Sequence, residues 1–97
     1  GVDIAGPTGR NVVATAEGKV IFTGWNGNYG KCVIVRHQFG YETVYGHLSK
    51  ILVNTGDVVK KEQIIGQVGS TGRSTGPHLH YEVRRYGDVI TPWPYLP

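Results

Sequence analysis

The 97 residues hold four histidines, and two of them stand one residue apart in Gly76-Pro-His78-Leu79-His80-Tyr81-Glu82-Val83. Along this run Leu79, Tyr81 and Val83 are apolar while His78, His80, Glu82 and Arg84 are polar. That is the alternation of a strand with one face on a core and the other open. At roughly 3.3 Å per residue the two histidine α-carbons stand about 6.6 Å apart, so their imidazoles can reach one small volume without touching. The spacing suits one metal ligand and one acid/base group. Taken alone it also fits two solvated rings. A second run, Tyr41-Glu-Thr-Val-Tyr-Gly-His47, supplies context: by the same alternation Tyr41, Thr43, Tyr45 and His47 share a face, and His47 closes the strand where a groove could open. His37, at the end of Val33-Ile-Val-Arg36 and just before a turn, reads as structural. Asp3 by itself reads as a turn or cap residue.

The elements that must position these residues are strands. Runs with strand character fall at Asn11 to Ala16, Lys19 to Thr23, Lys31 to His37, Tyr41 to His47, Glu62 to Val68 and His78 to Arg84, separated by turn signals. Their spacing predicts a meander of antiparallel strands. Fifteen glycines and five prolines among the Val, Ile, Thr and Tyr residues describe a chain that turns often. Gly24 to Gly30 reads as a glycine-rich loop and Gln38-Phe-Gly40 as a tight hairpin connection; no helix pattern follows either, so neither is a phosphate cradle. No window has a convincing apolar period of 3.6 residues. The expectation is one all-β domain over residues 1–97, a compact antiparallel sheet or barrel-sandwich with a groove formed by loops and no long helix. Val53-Asn-Thr-Gly-Asp-Val-Val59 resembles the hairpin of biotinyl and lipoyl carrier domains, but no flanked lysine at a hairpin tip accompanies it.

The formal charge of +3, from ten Lys/Arg against seven Asp/Glu, is spread along the chain. It is compatible with an anionic polymer, and no basic-aromatic motif of a nucleic-acid module is present. Cys32 is the single cysteine, so no internal disulfide forms, and its neighbours place it in a strand. No apolar stretch of about 18 residues exists, so no membrane span is expected within the domain. Methionine is absent; the expectation is a mature product or part of a longer chain, with any export signal upstream of Gly1.

Several motifs in order carry a resemblance over almost the whole chain. Gly1-Val-Asp3-Ile-Ala, Tyr45-Gly-His47-Leu-Ser, Gly66-Gln-Val-Gly-Ser-Thr-Gly72, Ser74-Thr-Gly-Pro-His78-Leu-His80-Tyr-Glu-Val and Pro92-x-x-Tyr95-Leu look like the lysostaphin/LytM-type zinc endopeptidases. The resemblance implies Zn2+ as cofactor, with Asp3 and His80 as ligands and His47 and His78 as the catalytic pair. It also implies hydrolysis of peptide bonds in peptidoglycan cross-links or stem peptides, at the bacterial periplasm or cell surface. Asn28, Tyr29, Arg73 and Thr75 are expected to bind the peptide. The family's first motif is His-x-Gly-x-Asp; Gly1 and Asp3 fit its third and fifth positions, which puts the remaining ligand two residues before Gly1.

A catalytic zinc takes three protein ligands and an open position, and the sequence supplies two. Two rival readings follow. One is a degenerate LytM-like domain that binds cell wall or activates a partner, with regulatory or partner segments upstream; the other is a carrier domain, which gives no reason for His47, His78 and His80.

Overall fold

The computed structural model describes residues 2–74 and 76–90, and these form an all-β fold in which every strand pairing is antiparallel. Nine strands appear among the described residues: β1 (Val2–Ala5), β2 (Asn11–Val13), β3 (Gly18–Trp25), β4 (Lys31–Arg36), β5 (Tyr41–Ile51), β6 (Val58–Val59), β7 (Ile64–Val68), β8 (His78–Arg85) and β9 (Asp88–Ile90). No helix among them is long and apolar enough to cross a membrane.

β3, β4 and β5 form the expected meander, but the chain then departs from it. β8 returns to the free edge of β5, and β1 adds outside β8, giving the order β1-β8-β5-β4-β3-β6. β5 has a third partner: residues 41–46 pair with β8, and from Leu48 onward the same strand pairs with β7. A meander uses two edges per strand, one for each neighbour. β5 is long enough to divide one edge between β8 and β7, which curls the sheet and encloses the core.

That core follows from the alternation. Val20, Val33, Val35, Tyr45, Tyr81 and Val83 pack on one face with Leu48 and Ile65 from the curled end. On the opposite face, Cys32, Ile34 and Val44 form a smaller cluster beside Ile21, Phe22 and Tyr29. Cys32 is fully buried, and burial pushes its thiol up to about 11, the behaviour of a small apolar core residue. His37 ties two elements together: Nδ1 lies 2.7 Å from the Glu17 carbonyl oxygen and Nε2 2.8 Å from Thr43 Oγ1.

Candidate active site

β1 lies on β8 with Asp3 opposite His80 in the register. Asp3 Oδ1 stands 2.7 Å from His80 Nδ1 and 3.5 Å from His78 Nε2. The His47 ring centroid lies 4.8 Å from that of His78 and 5.9 Å from that of His80. The four residues singled out in the sequence therefore meet in one open groove, whose wall includes Gly72, Arg73 and Ser74.

His78 and His80 arrive there as the alternation of β8 requires, with Leu79, Tyr81 and Val83 turned to the core. His47 does not. Thr43 and Tyr45 face the core side, where Thr43 Oγ1 donates to the Tyr45 hydroxyl at 2.9 Å, and simple alternation would send His47 there too. Instead His47 has φ 59°, the left-handed region, and the register of β4 against β5 shifts between the Val33–Tyr45 and Lys31–Leu48 pairs. The bulge carries the imidazole to the histidine face, and it falls where β5 exchanges β8 for β7. The expectation that Tyr41, Thr43, Tyr45 and His47 share a face is corrected at His47 for this reason.

Each ring is anchored through its far nitrogen. His47 Nδ1 lies 2.7 Å from the Thr71 carbonyl oxygen, and His78 Nδ1 lies 2.8 Å from the Gly76 carbonyl oxygen, with Ser74 Oγ at 3.1 Å. A carbonyl oxygen only accepts, so both Nδ1 atoms donate, and in the neutral rings Nε2 holds the lone pair. His80 Nδ1 faces Asp3, and its Nε2 lies 2.8 Å from Glu82 Oε1. The His80 hydrogen bond holds the Asp3 carboxyl below the usual carboxylate range, against the opposing effect of burial. For Glu82, burial alone would push the carboxyl up; hydrogen bonds from Tyr29, His80 and Arg84 outweigh it and hold it below its ordinary value.

Two loops frame the groove. The turn Gly27–Tyr29 and the segment 70–74 dock backbone to backbone: Arg73 N donates to the Asn28 carbonyl at 2.9 Å, and the Thr71 hydroxyl accepts from Lys31 N and donates to the Leu48 carbonyl oxygen. Gly30 (φ 64°) and Gly72 (φ 73°) face each other so closely that a Cβ on either would overlap the other loop's backbone. Asn28, Tyr29 and Arg73 line the groove beside His47 and His80. The Tyr29 hydroxyl is committed within the protein, donating to Glu82 Oε1 at 2.7 Å. Thr75, Gly1 and the Pro92–Tyr95 motif lie outside the described residues. Sequence reasoning did not assign Thr71, Gly76 or Glu82. The carbonyl anchors leave no trace in residue type, but Glu82 was signalled, being two residues from His80 on the same face. Among the described residues, no group of three or more His, Cys, Asp or Glu is arranged to hold a metal ion.

The family model of Peptidase family M23 matches residues 1–92. The DD-carboxypeptidase/endopeptidase Mpg of Neisseria meningitidis is 50% identical over 92 residues, covering 95% of this chain and 21% of the relative. The murein hydrolase activator NlpD of Salmonella dublin is 41% identical, covering 100% and 26%. A zinc containing peptidase from Vibrio cholerae superposes with a TM-score of 0.89 at 43% identity, covering 93% and 28%. The chain belongs to Peptidase family M23, in agreement with the lysostaphin/LytM resemblance of its motifs. It spans about a fifth to a third of the length of the curated relatives it matches.

Proposed function

We propose that this domain is a zinc-dependent endopeptidase that cuts peptide bonds in peptidoglycan, outside the cytoplasm, at cross-links or stem peptides. The observation that carries the reading is the convergence of Asp3, His47, His78 and His80 in one groove, with His47 and His78 each anchored through Nδ1.

The donor chemistry of the Asp3–His80 pair supports zinc. A carboxylate oxygen and an imidazole nitrogen face each other at 2.7 Å in an open polar groove, and zinc accepts both donor types. Asp3 and His80 would be two of the three protein ligands that a catalytic zinc takes. Bound zinc supplies Lewis-acid polarisation of a carbonyl and makes water more acidic. His47 and His78 do the proton work. Each offers an Nε2 lone pair, fixed in direction by its backbone carbonyl, to take the proton of an attacking water and return it to the leaving amine. The protonated ring can also hold a developing oxyanion by hydrogen bond. Asn28, Tyr29 and Arg73 would contact the peptide along the groove wall.

A second reading has one observation in its favour, the 41% identity to a murein hydrolase activator across the whole chain: the domain would bind a partner or wall without cutting. Incubation of the full-length protein with purified peptidoglycan, mass analysis of released fragments, and elemental analysis of the protein separate the two. Cleaved peptides with about one zinc per protein support the enzyme; neither zinc nor cleavage overturns it in favour of the activator.

A further inference from the structure

Glu82 stands on a strand whose alternation reserves its face for polar side chains, yet it is only 5% exposed. A buried carboxylate is expensive unless its oxygens are satisfied. Here they are, and the partners are not neutral bystanders. Oε1 accepts from the Tyr29 hydroxyl at 2.7 Å and lies 2.8 Å from His80 Nε2; Oε2 accepts from Arg84 Nε at 3.0 Å. Arg84 closes the set by donating to the Tyr29 hydroxyl at 3.2 Å. The Tyr29 ring also lies against His80, with centroids 5.3 Å apart. Glu82 is thus locked from two sides and presents an oxygen to one nitrogen of His80.

We infer that Glu82 is a positioning residue that holds a hydrogen on His80 Nε2 and so reserves Nδ1, on the Asp3 side, for the metal; the inference rests on His80 being a zinc ligand. Each of the two ring nitrogens of His80 faces a carboxylate oxygen. Without a hydrogen on Nε2, its lone pair would face a carboxylate oxygen at 2.8 Å, two acceptors against each other with no hydrogen between them. Nε2 must therefore carry a hydrogen to satisfy Glu82. Nδ1 faces Asp3 Oδ1 at 2.7 Å, so without a metal it too shares a hydrogen with a carboxylate, and a cation held by Asp3 and His80 would take the place of that hydrogen. The carboxylate's charge also makes the imidazole a stronger donor. Partners of this kind are typically worth about 10- to 100-fold in metal affinity. Tyr29 and Arg84 act one step further out, by preventing Glu82 from rotating away.

The test measures zinc affinity by competition with a chelator, on full-length protein carrying Glu82→Leu or Glu82→Gln, with His80→Ala as reference. Whether His80 Nε2 carries a hydrogen is read separately from imidazole 15N shifts of the zinc-free protein. Glu82→Leu should bind zinc about 10- to 100-fold more weakly and lose the Nε2–H preference. Glu82→Gln should fall between, because one amide oxygen can keep the His80 contact but cannot also serve Arg84. If Glu82→Leu does not fold, the Gln variant and its nitrogen shifts still decide. Parent-like zinc affinity in the folded variants, or an unchanged hydrogen on His80 Nε2, would overturn the inference. Parent protein that fails to bind zinc while His80 holds its Nε2–H overturns the zinc reading instead, and with it the role of Glu82 toward a metal.

Discussion

His47 Nδ1 and the Thr71 carbonyl oxygen lie 2.7 Å apart, and this contact joins a strained residue of β5 to the loop that forms the groove wall. His47 has φ 59°, where a residue with a Cβ is disfavoured by about 1–2 kcal/mol. Replacement by alanine keeps that strain and removes the ring; replacement by glycine removes both. Both variants should lose about 10²- to 10⁴-fold in hydrolysis while keeping zinc. His47→Gly should be more stable than His47→Ala by about 1 kcal/mol. Denaturant melts and fragment release from cell walls measure the two effects, and metal loss in either variant would move His47 among the ligands.

His80→Ala should remove zinc, since it takes away one of the two donors the chain supplies. Elemental analysis of the parent and the variant checks this, and equal zinc in both would end the assignment. Its fold should persist, because the side chain lies in the groove and not among the buried core residues.

The faces of β8 were legible because nothing interrupts its alternation from His78 to Arg84. His47 was legible as a chemical residue, and its motif gave its expected role, but its face was not. A bulge is a decision of the backbone made by two competing partners, β8 and β7, and neither is visible from the run Tyr41–His47 alone. β1, β6 and β9 were missed for a related reason. At four, two and three residues they are too short to show a period, and they become strands only by pairing with an edge already formed. Asp3 accordingly read as a chain-end residue on its own chemistry, and only the motif resemblance gave it a place beside His80.

Gly72→Ala should destabilise the domain by at least about 2 kcal/mol, adding a left-handed backbone penalty to a steric overlap, because its Cβ would press on Gly30 N. Gly56→Ala is the matched control. Gly56 has φ 99° with nothing within 4 Å of an added Cβ, so only the backbone penalty of about 1–2 kcal/mol applies. Equal losses in the two variants would mean that the loops do not interlock.

Cys32 should resist alkylation at pH 8 until the protein is unfolded, since the thiol is buried and its pKa is pushed up to about 11. The same shift ties stability to pH. A raised value keeps the neutral thiol longer in the folded state than in the unfolded chain, where it titrates near 9.0. Its stabilising contribution is complete below that value and is lost as pH rises through about 11. Tyr81, pushed from 10.0 to about 12 by burial, adds a further loss at higher pH. Melting temperatures from pH 8 to 10 should therefore decline less steeply in Cys32→Ala than in the parent, and parallel slopes would contradict the assignment.

Asp3 and His80 are 77 positions apart in the chain yet directly opposed across β1 and β8. No nascent or clipped chain that stops short of β8 can bring them together, whatever else it has folded. Contacts between such distant segments are the slow ones to form. During biosynthesis the site is thus assembled late, and the fold itself withholds it until most of the domain has been made.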